Sequence, residues 1–271
     1  MNFDKNVIDV KDLKKYFGDT KAVNGISFNV REGEIFGLLG PNGAGKTTTI
    51  KLLLGQLEID DGDVRVFGLN PEIDEIKIKH HVGYVPEEPL MFKSLTIKDL
   101  FNFIASIRGL NETKTIKLLK NYLESFELVE YYDYLISTLS QGNKQKLHII
   151  AALIHEPDLL ILDEPIAGLD PKTVKILKSI LKVHTQRCGS VLFSTHIMEI
   201  AQELCDRIGI INKGKMVGIG TIDELRKQTE EFNASLEDIY FRLTKQDASV
   251  NVILKRLSNS FKKKKKFYSS Y

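Results

Sequence analysis

EIFGLLGPNGAGKTTTIKLLLGQL, residues 34–57, places an apolar run, a glycine-rich loop and a helical pattern in immediate succession. EIFGLLG reads as a buried strand, and TTTIKLLLGQL as a helix that ends near Gly55. Between them Gly40, Pro41, Asn42, Gly43, Ala44, Gly45, Lys46 and Thr47 fill every fixed position of the Walker A pattern. Glycines let such a loop curl with its N–H groups pointing inward. The helix that follows turns its positive end to the same point, and Lys46 adds a mobile charge. The expected ligand is the β- and γ-phosphates of ATP, with the Thr47 hydroxyl placed to bind Mg2+ and Thr48 adding a phosphate contact. A turn that merely caps a helix would explain neither the lysine nor the hydroxyl after it.

A phosphate loop of this kind requires an acid to hold the metal, and LLILDEP (159–165) supplies Asp163 at the end of an apolar run. Glu164 beside it is the candidate general base, orienting and polarising the attacking water. LLIL (159–162) and SVLFST (190–195) both read as buried parallel strands, joined by VKILKSILKVH as a helix.

Around this centre the 271 residues suffice for one large or two modest domains with a sizeable core. The opening residues show strand-like runs VIDVKDL and ISFNV, separated by YFGDTKAVNG, whose Gly and Asn mark a turn, and GDVRVFG adds a further strand. From Thr96 to about Ile154 the pattern is helical. Thr96 and Asp99 form a capping-box start, Ile97, Leu100, Phe101 and Ile104 give one apolar stripe, and Ile116, Leu119, Leu123 and Phe126 give the next. IGIINKGKMVGIG reads as a hairpin turning at Lys213 and Gly214, with helices from about Ile222 onward. The expected fold class is α/β, a P-loop NTPase (RecA-like) core with an antiparallel β subdomain and a helical subdomain inserted at about 90–155. The expected division is a catalytic domain over 1–220 and a helical extension with a polybasic tail over 221–271.

With 42% hydrophobic and 27% charged residues, the composition is that of an ordinary globular protein. No apolar run reaches the length of a membrane span and MNFDKNVIDV lacks the marks of a signal peptide, so a cytoplasmic chain is expected. Cys188 and Cys205 have no metal-ligand spacing. The net charge of +2 conceals a division: after Asp247 there are seven cations and no acid, leaving −5 on the preceding part.

These motifs closely resemble the ATP-binding cassette (ABC) nucleotide-binding domains, of the exporter-type branch. Over roughly residues 7–220 six motifs occur in the family's order and spacing. LSQGNKQKL (139–147) resembles the signature usually written LSGGQ: Ser140 and Gly142 match, while Gln141 and Asn143 replace a glycine and a glutamine. Ser140 is independently a good N-cap, and such a helix end attracts phosphate. The resemblance implies that it faces the γ-phosphate bound by a second ABC ATPase subunit, so that two chains pair head to tail around two ATPs. It also implies that Asp170, in the loop Ala167–Gly168–Leu169–Asp170, lies at this interface, and that His196 contacts the γ-phosphate and attacking water. Phe17 would stack on adenine, with Tyr16 as competitor and a core role as the alternative. Glu87 stands where the family offers a metal-contacting glutamine; it still supplies oxygen to Mg2+, but adds negative charge and cannot donate as an amide does.

The family's function implies ATP hydrolysis driving a separate transmembrane permease subunit, with the chain peripheral at the inner face of the cell membrane. GTIDELRK and ASLEDIYFRLT resemble the endings of exporter ATPases, and Leu236, Ile239, Tyr240 and Leu243 would share one helix face. FKKKKKFYSSY would be either a solvated tail or a contact for anionic lipid. Non-transport cassettes acting on ribosomes or DNA are the rival class. Their tandem cassettes or long coiled coils are not seen here, and no nucleic-acid partner is expected.

Overall fold

A computed structural model describes residues 5–88, 91–230 and 233–245. Two sheets organise them. β1 (Asn6–Phe17) lies between β2 (Thr20–Arg31) and β4 (Asp61–Val66) in an antiparallel three-stranded sheet. The second has the order β5-β6-β7-β3-β8-β9, built from β3 (Ile35–Leu39), β5 (Val82–Val85), β6 (Leu159–Asp163), β7 (Ser190–Thr195), β8 (Arg207–Asn212) and β9 (Lys215–Gly220). All its pairings are parallel except β8 with β9.

Strands β3, β6 and β7 are buried at every residue, which explains why their apolar residues run together rather than alternating with polar ones. Their side chains feed two cores. Phe36 and Leu38 face the antiparallel sheet, where Phe36 stacks on Phe28 with centroids 5.4 Å apart, while Ile35 and Leu39 join the helical side. Each such fully buried Leu, Ile or Phe contributes about 1.5–3 kcal/mol. The 213–214 turn occurs as expected: Lys213 and Gly214 have φ of 49° and 73°, the pair of positive values required by a two-residue hairpin.

The helices are α1 (Lys46–Leu53), α2 (Glu75–His81), α3 (Ile97–Ile107), α4 (Glu112–Ser125), α5 (Gln141–Leu153), α6 (Pro171–Gln186), α7 (Met198–Leu204), α8 (Ile222–Gln228) and α9 (Leu236–Leu243). Between β5 and β6 stand α3, α4 and α5. The expected capping box opens α3: Asp99 N–H donates to Thr96 Oγ1 at 3.1 Å, and Thr96 N–H to Asp99 Oδ2 at 3.2 Å. On α9, Leu236, Ile239 and Tyr240 are buried and Leu243 packs against the same core.

Two expectations need correction. YFGDTKAVNG is not one long turn: the chain reverses at Gly18–Asp19, and β2 continues through the rest. Gly25, at φ 74°, is the extra residue of a bulge between the pairs Lys14↔Asn24 and Leu13↔Ile26. On α4 the buried stripe is Thr115, Leu119 and Leu123, and Ile116 is 54% exposed.

His155, after α5, lies with Nε2 3.1 Å from the Val82 carbonyl. Burial, reinforced by the Arg108 guanidinium, pushes its pKa down to about 4 from 6.5. Burial also lowers His184. Between pH 6.5 and 4 the unfolded chain therefore binds more protons than the folded one, so stability falls as pH falls through this window. The expected loss from His155 is on the order of 2 kcal/mol, allowing for the part of the ring still touching water. Melting temperature measured from pH 7 to 4 should drop, and should drop less in H155Q. An equal acid slope in both proteins would contradict the assignment.

Candidate nucleotide site

The strand register assembles the site. In adjacent strands Leu39 lies opposite Thr195, and Asp163 opposite Ser194, so the carboxyl ends of β3, β7 and β6 open side by side. A crevice at such strand ends is where α/β sheets bind ligands. Out of β3, Gly40 N–H donates to the Thr195 carbonyl at 3.2 Å and the loop turns back to start α1. Gly45 precedes α1 at φ 110°, and a Cβ there would lie 2.4 Å from the Ala22 carbonyl oxygen, so only glycine fits. Asn42 and Gly43 form the exposed crest of the loop, while Ala44 and Lys46 are buried and Pro41, Thr47 and Thr48 are half-buried.

Lys46 is 5% exposed and folds back over its own loop, donating to the carbonyls of Gly40 at 2.8 Å and Pro41 at 3.2 Å. Its ammonium also lies 3.1 Å from Glu164 Oε1. The other Glu164 oxygen, Oε2, is 2.9 Å from His196 Nδ1. Three residues named separately in the sequence thus converge on one carboxylate, and burial of that charge is compensated by the cation beside it. Glu164 itself has a φ of 47°, a conformation that costs a non-glycine residue about 1–3 kcal/mol.

Ser194 belongs to this group although its sequence context reads only as a strand residue. Fully buried, its hydroxyl accepts from the Glu164 N–H at 3.1 Å and donates to Asp163 Oδ1, so one side chain positions both acids. The signal was slight, since Ser194 is one of three buried hydroxyl residues, with Ser190 and Thr195, in that strand.

Asp163 Oδ2 is buried without a hydrogen-bond partner. Across the site Thr47 Oγ1 lies 3.4 Å from Glu87 Oε2, where it can donate. The charges of Asp163 and Glu87 add to burial in pushing the Tyr84 hydroxyl up to about 12. An orphaned buried carboxylate oxygen, together with a hydroxyl and a second carboxylate, is a donor set that suits a hard cation such as Mg2+, which retains several waters. Among the described residues no group of three or more His, Cys, Asp or Glu forms a metal site.

The remaining residues lie around this centre. Phe17 is 49% exposed at the end of β1, outside the core, and pairs with Thr20, two residues before the Ala22 carbonyl that lies against Gly45. Tyr16 is half-buried and carries Lys21 over its ring. Ser140 caps α5, its Oγ accepting from the Asn143 N–H at 3.2 Å; Gln141 is exposed and Gly142 half-buried. Among the described residues no hydrogen bond joins Ser140–Asn143 to Lys46, Asp163, Glu164 or His196. Asp170 caps α6 through the Thr173 N–H at 2.9 Å and hydroxyl at 2.6 Å, and these bonds, followed by Lys146, hold its carboxyl far below the usual range.

A glycine loop between strand and helix, a buried lysine within it and two acids at the end of a parallel strand of the same sheet, one strand removed, define a P-loop nucleoside triphosphatase. The family described as ABC transporter matches residues 23–167. The chain is 37% identical over 230 residues to the uncharacterised ABC transporter ATP-binding protein YhaQ of Bacillus subtilis, covering 85% of this chain and 76% of that one. It is 37% identical over 213 residues to Nod factor export ATP-binding protein I of Burkholderia lata, covering 79% and 70%. A solved structure of the ATP-binding subunit of an ABC transporter superposes with a TM-score of 0.84 at 32% identity, covering 88% of this chain and 99% of that one. The chain belongs to the ABC transporter family as an ATP-binding subunit, and is an ATPase of that family. Among the described residues no helix is long and apolar enough to cross a membrane.

Proposed function

We propose that the chain is the hydrolytic subunit of an exporter, driving a separate membrane permease through ATP-dependent, head-to-tail closure of two ATPase subunits. The observation that carries the hydrolytic part is the Glu164 carboxylate, buried between Lys46 and His196 and adjoining Asp163. In this role Glu164 orients and takes a proton from the attacking water, and His196 steadies the Glu164 carboxylate from its more exposed side. Lys46 exchanges its contact with Glu164 for the phosphate, and the Gly43–Thr48 backbone and Thr48 cradle the same group. Thr47, Asp163 and Glu87 would hold Mg2+, whose chemistry is to neutralise phosphate charge. Phe17 offers an exposed ring to adenine.

Coupling to a permease finds support in a cavity of about 800 Å3 running from Thr47 and Glu87 to Phe92, Phe103 and Arg108. Phe92 and Phe103 stack edge-on at 5.7 Å yet stay 59% and 44% exposed, an unpartnered apolar surface bordering the nucleotide site. A permease helix seated there would touch the metal-side acid directly. Export is supported by the relatives, one of which is named for the export of Nod factor. On this reading residues 1–220 form the cassette with its helical insertion at 90–155, residues 221–271 form an extension, and the chain sits at the cytoplasmic face of the membrane. The polybasic segment and its lipid contact lie outside the described residues.

The paired state is tested by S140R. Loss of a helix cap costs only about 1 kcal/mol, so the variant should fold and bind ATP. An arginine at the exposed end of α5 should nevertheless block the partner's phosphate and reduce hydrolysis by at least about tenfold. Unchanged dimerisation and hydrolysis would reduce Ser140 to a cap. Purification of the tagged chain from detergent-solubilised membranes should bring down a permease; sedimentation with ribosomes or DNA instead would contradict transport.

A further inference from the structure

Helix α5 begins at Ser140 and its first two turns lie against the loop that follows Glu164. Gly142, Gln145 and Lys146 have the i, i+3, i+4 spacing that places them on one helix face. Each meets a different part of that loop. A Cβ at Gly142 would lie 3.0 Å from the Gly168 carbonyl oxygen. Gln145, 2% exposed, donates through Nε2 to the Pro165 carbonyl at 3.1 Å, one residue beyond Glu164. Lys146, 9% exposed, sets its ammonium 3.4 Å from Asp170 Oδ2. The loop is closed upon itself by Ala167 N–H donating to the Glu164 carbonyl at 3.2 Å and Leu169 N–H donating to Ile166 at 3.1 Å.

We infer that Gln145 and Lys146 are positioning residues which make the signature helix and the Glu164–Asp170 loop move together, so that phosphate engaged at Ser140 on one side sets the Glu164 carboxylate on the other. This rests on the proposed sandwich of two subunits and specifies its internal linkage. The physical reason is rigidity: a helix passes a displacement of its N-terminus to positions 145 and 146 with little attenuation. Glu164 needs such support because its positive φ is not self-sustaining. Gln145 acts on the backbone next to the acid and Lys146 on the far end of the loop. Neither touches Lys46, Asp163 or His196 by any hydrogen bond among the described residues.

The test is a mutant cycle on the full chain. Gln145→Met keeps length and removes the donor. It should lower kcat about 10- to 100-fold, the cost expected when a reacting group is misplaced by about 1 Å. KM and equilibrium ATP affinity should stay within about twofold. Added to E164Q it should cause no further loss, because it acts through Glu164. Lys146→Met should lower kcat severalfold and reduce the cooperativity of hydrolysis with ATP concentration, with Lys146→Arg restoring both, a rescue that a simple packing role would not give. Multiplicative losses in the Q145M/E164Q pair, or a rise in KM at constant kcat, would overturn the linkage. If Q145M fails to fold, the Lys146 pair decides: K146M with wild-type kcat and cooperativity refutes it. Wild-type turnover in E164Q alone would instead refute the general base, and is read separately.

Discussion

Replacing Glu164 by glutamine is expected to stop turnover while leaving ATP bound. The substitution preserves shape but removes basicity, and loss of a positioned general base costs about 10²- to 10⁴-fold in rate. Affinity should be kept or improved. Glu164 Oε1 lies 3.1 Å from the Lys46 ammonium and competes with phosphate for it, and a neutral amide releases that cation to the phosphate while Gly40 and Pro41 still hold it in place. Phosphate release at saturating ATP and a nucleotide-binding isotherm, measured on the same preparation, check both parts. Hydrolysis at the wild-type rate would remove Glu164 from the role of base.

Lys46→Ala should have the opposite signature, a failure of binding itself. A charge-assisted hydrogen bond contributes about 1.5–3 kcal/mol, so ATP affinity should fall about 10- to 100-fold. The same change leaves Glu164 without its nearest cation in a buried setting, and breaking a buried pair from one side costs about 3–5 kcal/mol. K46A should therefore melt well below wild type, and K46A/E164Q should recover part of that loss by removing the stranded charge. Unchanged ATP affinity in K46A would argue against the phosphate site. Additive destabilisation in the double variant would argue against the pair.

The features legible in the sequence were those with local causes. β3, β6 and β7 were readable because strands covered on both faces carry consecutive apolar residues rather than an alternation. The 213–214 hairpin, the Thr96–Asp99 box and the Ser140 cap were readable because each depends on two to four adjacent residues. Where one local signal had two structural solutions, the choice failed. Gly25 satisfies a bulge as well as a turn, since both need positive φ, and a 3.6-residue period allows a stripe on α4 to begin at Thr115 as readily as at Ile116.

The site's interior was less visible because it depends on register between strands far apart in the chain. Lys46, Asp163, Glu164 and His196 were each named from motifs. The meeting of Lys46 and His196 at the Glu164 carboxylate, with Asp163 joined through Ser194, follows from Leu39 lying opposite Thr195 and Asp163 opposite Ser194, which no spacing states. Ser194 was hidden for the same reason: its hydroxyl matters only because two acids from a neighbouring strand lie within reach. Gln145 and Lys146 carry no local signal of their role, since the loop they hold lies some twenty residues downstream.

The most direct test is the mass of E164Q in solution by light scattering, with ATP, with ADP, and with S140R added to the same chain. ATP should convert the protein from the mass of one chain to that of two, ADP should not, and S140R should keep it at one chain although nucleotide is bound. A single-chain mass for E164Q at saturating ATP, with binding verified in the same sample, would contradict closure of two subunits around the nucleotide.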